Sequence, residues 1–132
     1  MSGDAAVLFA NDAFYVALSG GDLQAMRDVW ADSGPVCCIH PGWEALATHE
    51  DVFGSWEAIL KAPPTVRCVA PAVQLYGDVA TVICFEEISG TYLLATNIFR
   101  LIGGRWRMVH HHAGPTNAVP EEEPVDDPRS MN

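Results

Sequence analysis

Three of the chain's five histidines stand side by side, His110-His111-His112, inside the run Gly104-Arg105-Trp106-Arg107-Met108-Val109-His110-His111-His112-Ala113-Gly114. Such a run could bind a metal, move protons or simply be a strand. On an extended strand successive side chains face opposite sides of the sheet, so three adjacent histidines cannot share one ligand. At most His110 and His112 point one way, with His111 opposed. Two histidines at alternate positions can supply two metal ligands, and Glu86 and Glu87 lie on a nearby strand, but a catalytic zinc needs a third protein ligand and an open position. No metal and no cofactor is therefore assigned. Cys37, Cys38, Cys68 and Cys84 show no CxxC spacing and read as buried free thiols. Arg100, Arg105 and Arg107 cluster near the last hairpin as a solvated rim.

The elements that must position these residues follow from periodicity and turn chemistry. Apolar residues recur at helical spacing from Asp4 to Ser19 (Val7, Leu8, Phe14, Tyr15, Leu18), and Gly20-Gly21 stops that helix. Asp22 can cap a second helix with Leu23, Met26, Val29 and Trp30 on one face, closed by Asp32-Ser33-Gly34-Pro35. Val36 to His40 reads as a short strand ended by Pro41-Gly42. Glu50 to Ala62 forms a third helix that Pro63-Pro64 blocks. Runs rich in β-branched and aromatic residues then follow at Thr65–Tyr76, Val79–Ile88, Tyr92–Ile102 and Arg105–His112. Gly77-Asp78, Ser89-Gly90 and Gly103-Gly104 separate them with hairpin chemistry, which predicts an antiparallel meander. Helices first and a sheet afterwards define an α+β fold.

The totals bound the class. At 132 residues the chain is expected to form one domain, residues 1–116, followed by an acidic Pro-rich tail, 117–132, of a composition that favours a solvated end. A net charge of −10 without a basic stripe argues against nucleic acid. No stretch approaches a membrane span, and the N-terminus lacks a secretory signal, so a cytoplasmic location is expected.

The order of elements, together with Ser19-Gly20-Gly21-Asp22-Leu23, Trp30-Ala31-Asp32, Ile39-His40-Pro41-Gly42, Ala95-Thr96-Asn97-Ile98-Phe99, Gly104-Arg105-Trp106 and Val109-His110-His111-His112, resembles the NTF2-like superfamily and its SnoaL-like branch. The resemblance covers about Ala5 to Thr116. It implies an α+β cone, three N-terminal helices packed on a curved antiparallel sheet around a pocket. It also implies a homodimer through the outer sheet face. Isomerases, cyclases, dehydratases, transport factors and oligomerisation domains share this fold, so membership does not choose a function. Ketosteroid isomerases of the fold carry an Asp before a Pro at the end of the first strand, where this chain has His40 before Pro41. Their acidic donor on the penultimate strand matches Asn97, and their first-helix tyrosine falls at Phe14; Tyr15 is expected to point elsewhere. Kinase-association hub domains share the Val-His-x-His pattern, a register that would turn Val109, His111 and Ala113 inward and His110 and His112 outward.

On this resemblance His40, Asn97 and His111 converge on a cavity walled by Phe14, Trp43, Trp56, Phe99 and Val109. A neutral imidazole suits a general base near pH 7. Asn97 could donate to a developing enolate, with His111 as auxiliary acid or orienting group. The expected function is a small-molecule-binding protein, an isomerase, cyclase or dehydratase acting on an apolar carbonyl compound. The alternative is a non-catalytic ligand-binding or oligomerisation module. His40 equally fits a core histidine, and Asn97 an anchor for its strand or for the first helix.

Overall fold

The computed structural model describes residues 3–121; the acidic tail lies, from residue 122 on, outside the described residues. The elements run α1 (Gly3–Gly20), α2 (Leu23–Val29), β1 (Cys37–Ile39), α3 (His49–Ile59), β2 (Arg67–Tyr76), β3 (Val79–Ile88), β4 (Thr91–Ile102) and β5 (Arg105–Pro115). Asp22 caps α2 by accepting a hydrogen bond from the Ala25 N–H, and Thr48 caps α3 in the same way through Asp51. The α3 helix stops at Ile59, before the Pro63-Pro64 block, because the chain already turns at Leu60.

Strands β2 to β5 form the expected meander, and β1 adds parallel to β5, giving the order β1-β5-β4-β3-β2. Two of the three hairpins close through two residues with positive φ, Ser89-Gly90 and Gly103-Gly104, the backbone shape that matches strand twist. Two bulges bend the sheet, one between Val69 and Ala72 on β2 and one at Val109 on β5. The helices lie against the concave face, and the core between them is built on Phe14, Met26, Trp30, Trp56, Phe99 and Met108, none more than 2% exposed.

The bulge at Val109 decides which histidine faces in. Phe99 pairs with Met108 and Asn97 with His111, so Met108 and His111 are both buried although they are three residues apart. Without the extra residue, alternation would have buried Val109 in place of Met108; instead Val109 is half-buried beside the core. Below the bulge the alternation is regular, with His111 and Ala113 buried, His112 exposed and His110 half-buried.

Candidate active site

Strand register brings the central polar groups together. Asn97 on β4 sits directly opposite His111 on β5, and Glu86 lies on the same inward face of β3. From the other side α1 contributes Asn11 and Tyr15, one helical turn apart and both buried. The Tyr15 hydroxyl donates to Glu86 Oε2 at 2.8 Å. With its only proton committed, the Tyr15 oxygen must accept from Asn97 Nδ2 at 3.1 Å. Asn97 Nδ2 also donates to Asn11 Oδ1 at 2.9 Å. The amide orientation is thereby set, and Asn97 Oδ1 is left to accept from His111 Nδ1 at 2.6 Å.

That chain of donors fixes the His111 tautomer. A neutral His111 carries its proton on Nδ1, so Nε2 holds the free lone pair. This atom lies 3.9 Å from Glu86 Oε2, with both side chains nearly inaccessible to solvent. Burial first, then the neighbouring histidines, lowers the His111 pKa to about 3. Burial raises that of Glu86 above the usual carboxylate range, against the Tyr15 hydrogen bond, which lowers it. Tyr15 is pushed far upward, mainly by burial and then by Glu86, and stays a donor. Burial therefore favours the neutral form of both groups, an imidazole held neutral beside a carboxyl whose pKa is raised.

His40 follows β1 and packs edge-on between Trp43 and Trp56, with ring centroids 4.8 Å from each. Ser55 gives its proton to the Val52 carbonyl at 2.6 Å, so its oxygen accepts from His40 Nε2 at 2.9 Å. Neutral His40 thus carries its lone pair on Nδ1. Burial lowers its pKa to about 4.

His40, His111 and Glu86 all line one cavity of about 260 Å³, whose walls include Trp43, Trp56 and Leu93. Larger grooves of about 580 and 500 Å³ lie between α2 and α3 and along α1, but neither holds a buried titratable group. Among the described residues no group of three or more His, Cys, Asp or Glu side chains is arranged to hold a metal.

Several expected positions move. Phe14 is fully buried behind His111, ring centroids 4.7 Å apart, and Phe99 lies deep in the core; neither lines the cavity, nor does Val109, which the bulge displaces. Asn97 also lies behind the cavity, its amide protons already given to Asn11 and Tyr15, so it orients His111 and offers no donor to a ligand. Tyr15 was expected to point away, yet its hydroxyl is central. The cause is the depth of α1 in the concave sheet, which encloses both Phe14 and Tyr15 despite their separation around the helix. The sequence offers Glu86 only as a carboxylate on a strand near the histidine run. Along β3 Ala80, Val82, Cys84 and Glu86 are all buried, so the alternation of the strand turns Glu86 inward.

Comparison with known proteins agrees with the fold. The SnoaL-like domain profile matches residues 7–117, and the chain belongs to that family. It is similar to a candidate dehydratase from the NTF2-like family of Streptomyces avermitilis, 29% identical with a TM-score of 0.79, over 87% of this chain and 97% of the other. It is also similar to a candidate calcium/calmodulin-dependent protein kinase type II association domain of Thiobacillus denitrificans, 32% identical with a TM-score of 0.73, over 82% and 93% of the two chains. A curated relative is the F-box protein SKIP8 of Arabidopsis thaliana, 30% identical over 112 residues, which cover 82% of this chain. The match spans about half of that relative, 48% of its length.

Proposed function

We propose that this protein is a proton-transfer enzyme, a dehydratase in reaction type, acting on a small apolar carbonyl compound in the 260 Å³ cavity. The observation that carries this reading is the His111–Glu86 pair, a base nitrogen 3.9 Å from a carboxyl oxygen, both on side chains shielded from water. In a β-hydroxy ketone the acidic hydrogen and the leaving hydroxyl sit on adjacent carbons. A base and an acid about 4 Å apart can reach both from one side. His111 Nε2 takes the α-proton, the electron pair forms the new C=C bond, the C–O bond breaks, and Glu86 protonates the departing oxygen to give water. The imidazolium then returns its proton to the Glu86 carboxylate, and the site is reset.

The enolate oxygen formed on the way needs a donor. Asn97 cannot serve. The Trp56 Nε1–H, on a cavity-wall residue and without a hydrogen-bond partner, is the donor we assign. His40, between Trp43 and Trp56, is a second polar contact beside the apolar walls. The candidate dehydratase at 29% identity supports the reaction type.

The test is a panel of β-hydroxy ketones followed by the ultraviolet absorbance of the conjugated product. His111→Ala and Glu86→Gln should each lower kcat by about 10²-fold or more, while quenching of tryptophan fluorescence shows that ligand still binds. Variants that turn over at the wild-type rate would overturn the assignment.

A second reading rests on a different observation. The outer sheet face carries Ile83 and Leu94 exposed, with Phe85 and Ile98 half-buried beside them. Together with the likeness to a kinase association domain, this supports a homodimer through that face. Such a dimer is compatible with catalysis. If no carbonyl compound binds the cavity, assembly remains as the function.

A further inference from the structure

Beneath the acid–base pair lie two sulfur atoms that the proposed reaction does not use. Cys68 on β2 pairs with Glu86, and Cys84 is two residues from Glu86 on β3, so the two thiols are diagonal neighbours on the inward face. Asn11 Nδ2 lies 3.6 Å from Cys68 Sγ, and the Tyr15 hydroxyl 3.2 Å from Cys84 Sγ.

The two sulfurs differ in the ways that matter for oxidation. Cys84 is 1% exposed, whereas Cys68 is half-buried. A thiolate at Cys68 would accept from the Asn11 amide, a donor that favours the charged form. The contact with Cys84, and after it the Asn11 bond, hold the Cys68 pKa below the ordinary thiol value despite partial burial, and the contact with Cys68 together with burial pushes Cys84 upward. A half-buried cysteine held below the ordinary thiol pKa, with a buried second cysteine as its diagonal neighbour, is the arrangement in which oxidation stops at a disulfide. The β2 bulge between Val69 and Ala72 lies opposite Cys84, and Ala70 within it has φ of +52°. This break in the ladder gives β2 room to shift as the sulfurs close to bonding distance.

We infer that Cys68 and Cys84 form a peroxide-reactive thiol pair, with Cys68 as the attacking sulfur and Cys84 as the resolving one. The Cys68 thiolate attacks a hydroperoxide oxygen, the O–O bond breaks, and hydroxide, or alkoxide from an organic peroxide, leaves and is protonated. Cys68 becomes a sulfenic acid. The Cys84 sulfur then attacks Cys68, the S–O bond breaks, water leaves and the disulfide remains. One peroxide is reduced by two electrons for each disulfide formed.

Closing the bond removes the Cys84 proton, and with it a donor to the Tyr15 oxygen that supports Glu86. Oxidation would then also control the acid–base site. That consequence rests on the function proposed above; the disulfide itself does not.

The experiment treats the reduced full chain with hydrogen peroxide and reads intact mass, free thiols and peptide maps. The expected wild-type product has lost two hydrogens and two free thiols, with Cys68 linked to Cys84. Cys84→Ala should instead trap a dimedone-reactive sulfenic acid at Cys68. In the untreated protein Cys68 should react at least about 10-fold faster than Cys37. Equal rates at Cys68 and Cys37, or a disulfide that omits either partner, would overturn the proposal. Turnover of oxidised and reduced protein is measured separately, so loss of the control effect leaves the disulfide standing and the reverse is also distinguishable.

Discussion

Replacing Asn97 with leucine tests whether the polar hub holds the site together. Leucine has nearly the same volume but cannot hydrogen-bond, and position 97 is fully buried. The change strands two groups, the His111 Nδ1–H and the Asn11 Oδ1, whereas the Tyr15 oxygen keeps its Cys84 neighbour. An orphaned buried donor or acceptor costs about 1–3 kcal/mol. Two of them, less about 1 kcal/mol for the added apolar burial, give a net loss of about 3 kcal/mol. With a urea m-value of about 2 kcal/mol per molar, the unfolding midpoint should fall by about 1.5 M. Asn97→Asp supplies the second arm. It retains the acceptor for His111 and adds a negative charge beside it, so the His111 pKa should rise from about 3, as followed by NMR titration of the ring. A midpoint shift below about 0.5 M for Asn97→Leu, or an unchanged His111 titration in Asn97→Asp, would refute the hub.

Three further outcomes are expected. His40 titrates near 4 in the folded chain against 6.5 for an ordinary histidine, so on acidification the unfolded chain takes up this proton first. Its contribution to stability is whole above pH 6.5 and is lost as pH falls toward 4, by about 2 kcal/mol after allowance for the cavity beside the ring; His40→Gln should remove that part of the slope in urea titrations between pH 7 and 4.5. Ile83→Asp combined with Leu94→Asp should convert a dimer to monomer in analytical ultracentrifugation while circular dichroism is unchanged, and a wild type that is already monomeric would dismiss the outer-face pairing. Asp22→Ala removes the α2 cap and should cost about 1 kcal/mol in thermal or urea unfolding.

The fold was legible because local rules repeat along this chain. Helical spacing marked α1 and α3, Asp22 marked the start of α2, and Gly-containing pairs marked the three hairpins. Each signal acts over a few residues and needs no knowledge of distant packing. The site was legible only in part. His40, Trp43, Trp56 and His111 do line one cavity. Asn97 was singled out for its amide, but its donors are spent inside the protein. Glu86 was noticed only as a carboxylate on a strand near the histidine run, with no face assigned.

The histidine run shows the division most clearly. By itself the sequence determines that three adjacent histidines on a strand must split between two faces, because side-chain direction alternates with the pleat. It also determines the strand, its hairpin and its β4 neighbour, whereas the parallel partner β1 came only with the structure. Only the tertiary structure decided that a bulge at Val109 resets the alternation, so that Met108 and His111 both point inward. The depth of α1 in the concave sheet likewise brought Tyr15 to Glu86. The physical reason is that a bulge and the roll of a helix are set by long-range packing, whereas hydrogen-bond direction depends on every partner in the chain from Tyr15 to His111. The base could be read as a histidine from its residue type; which nitrogen is basic, and which acid it faces, required the assembled core.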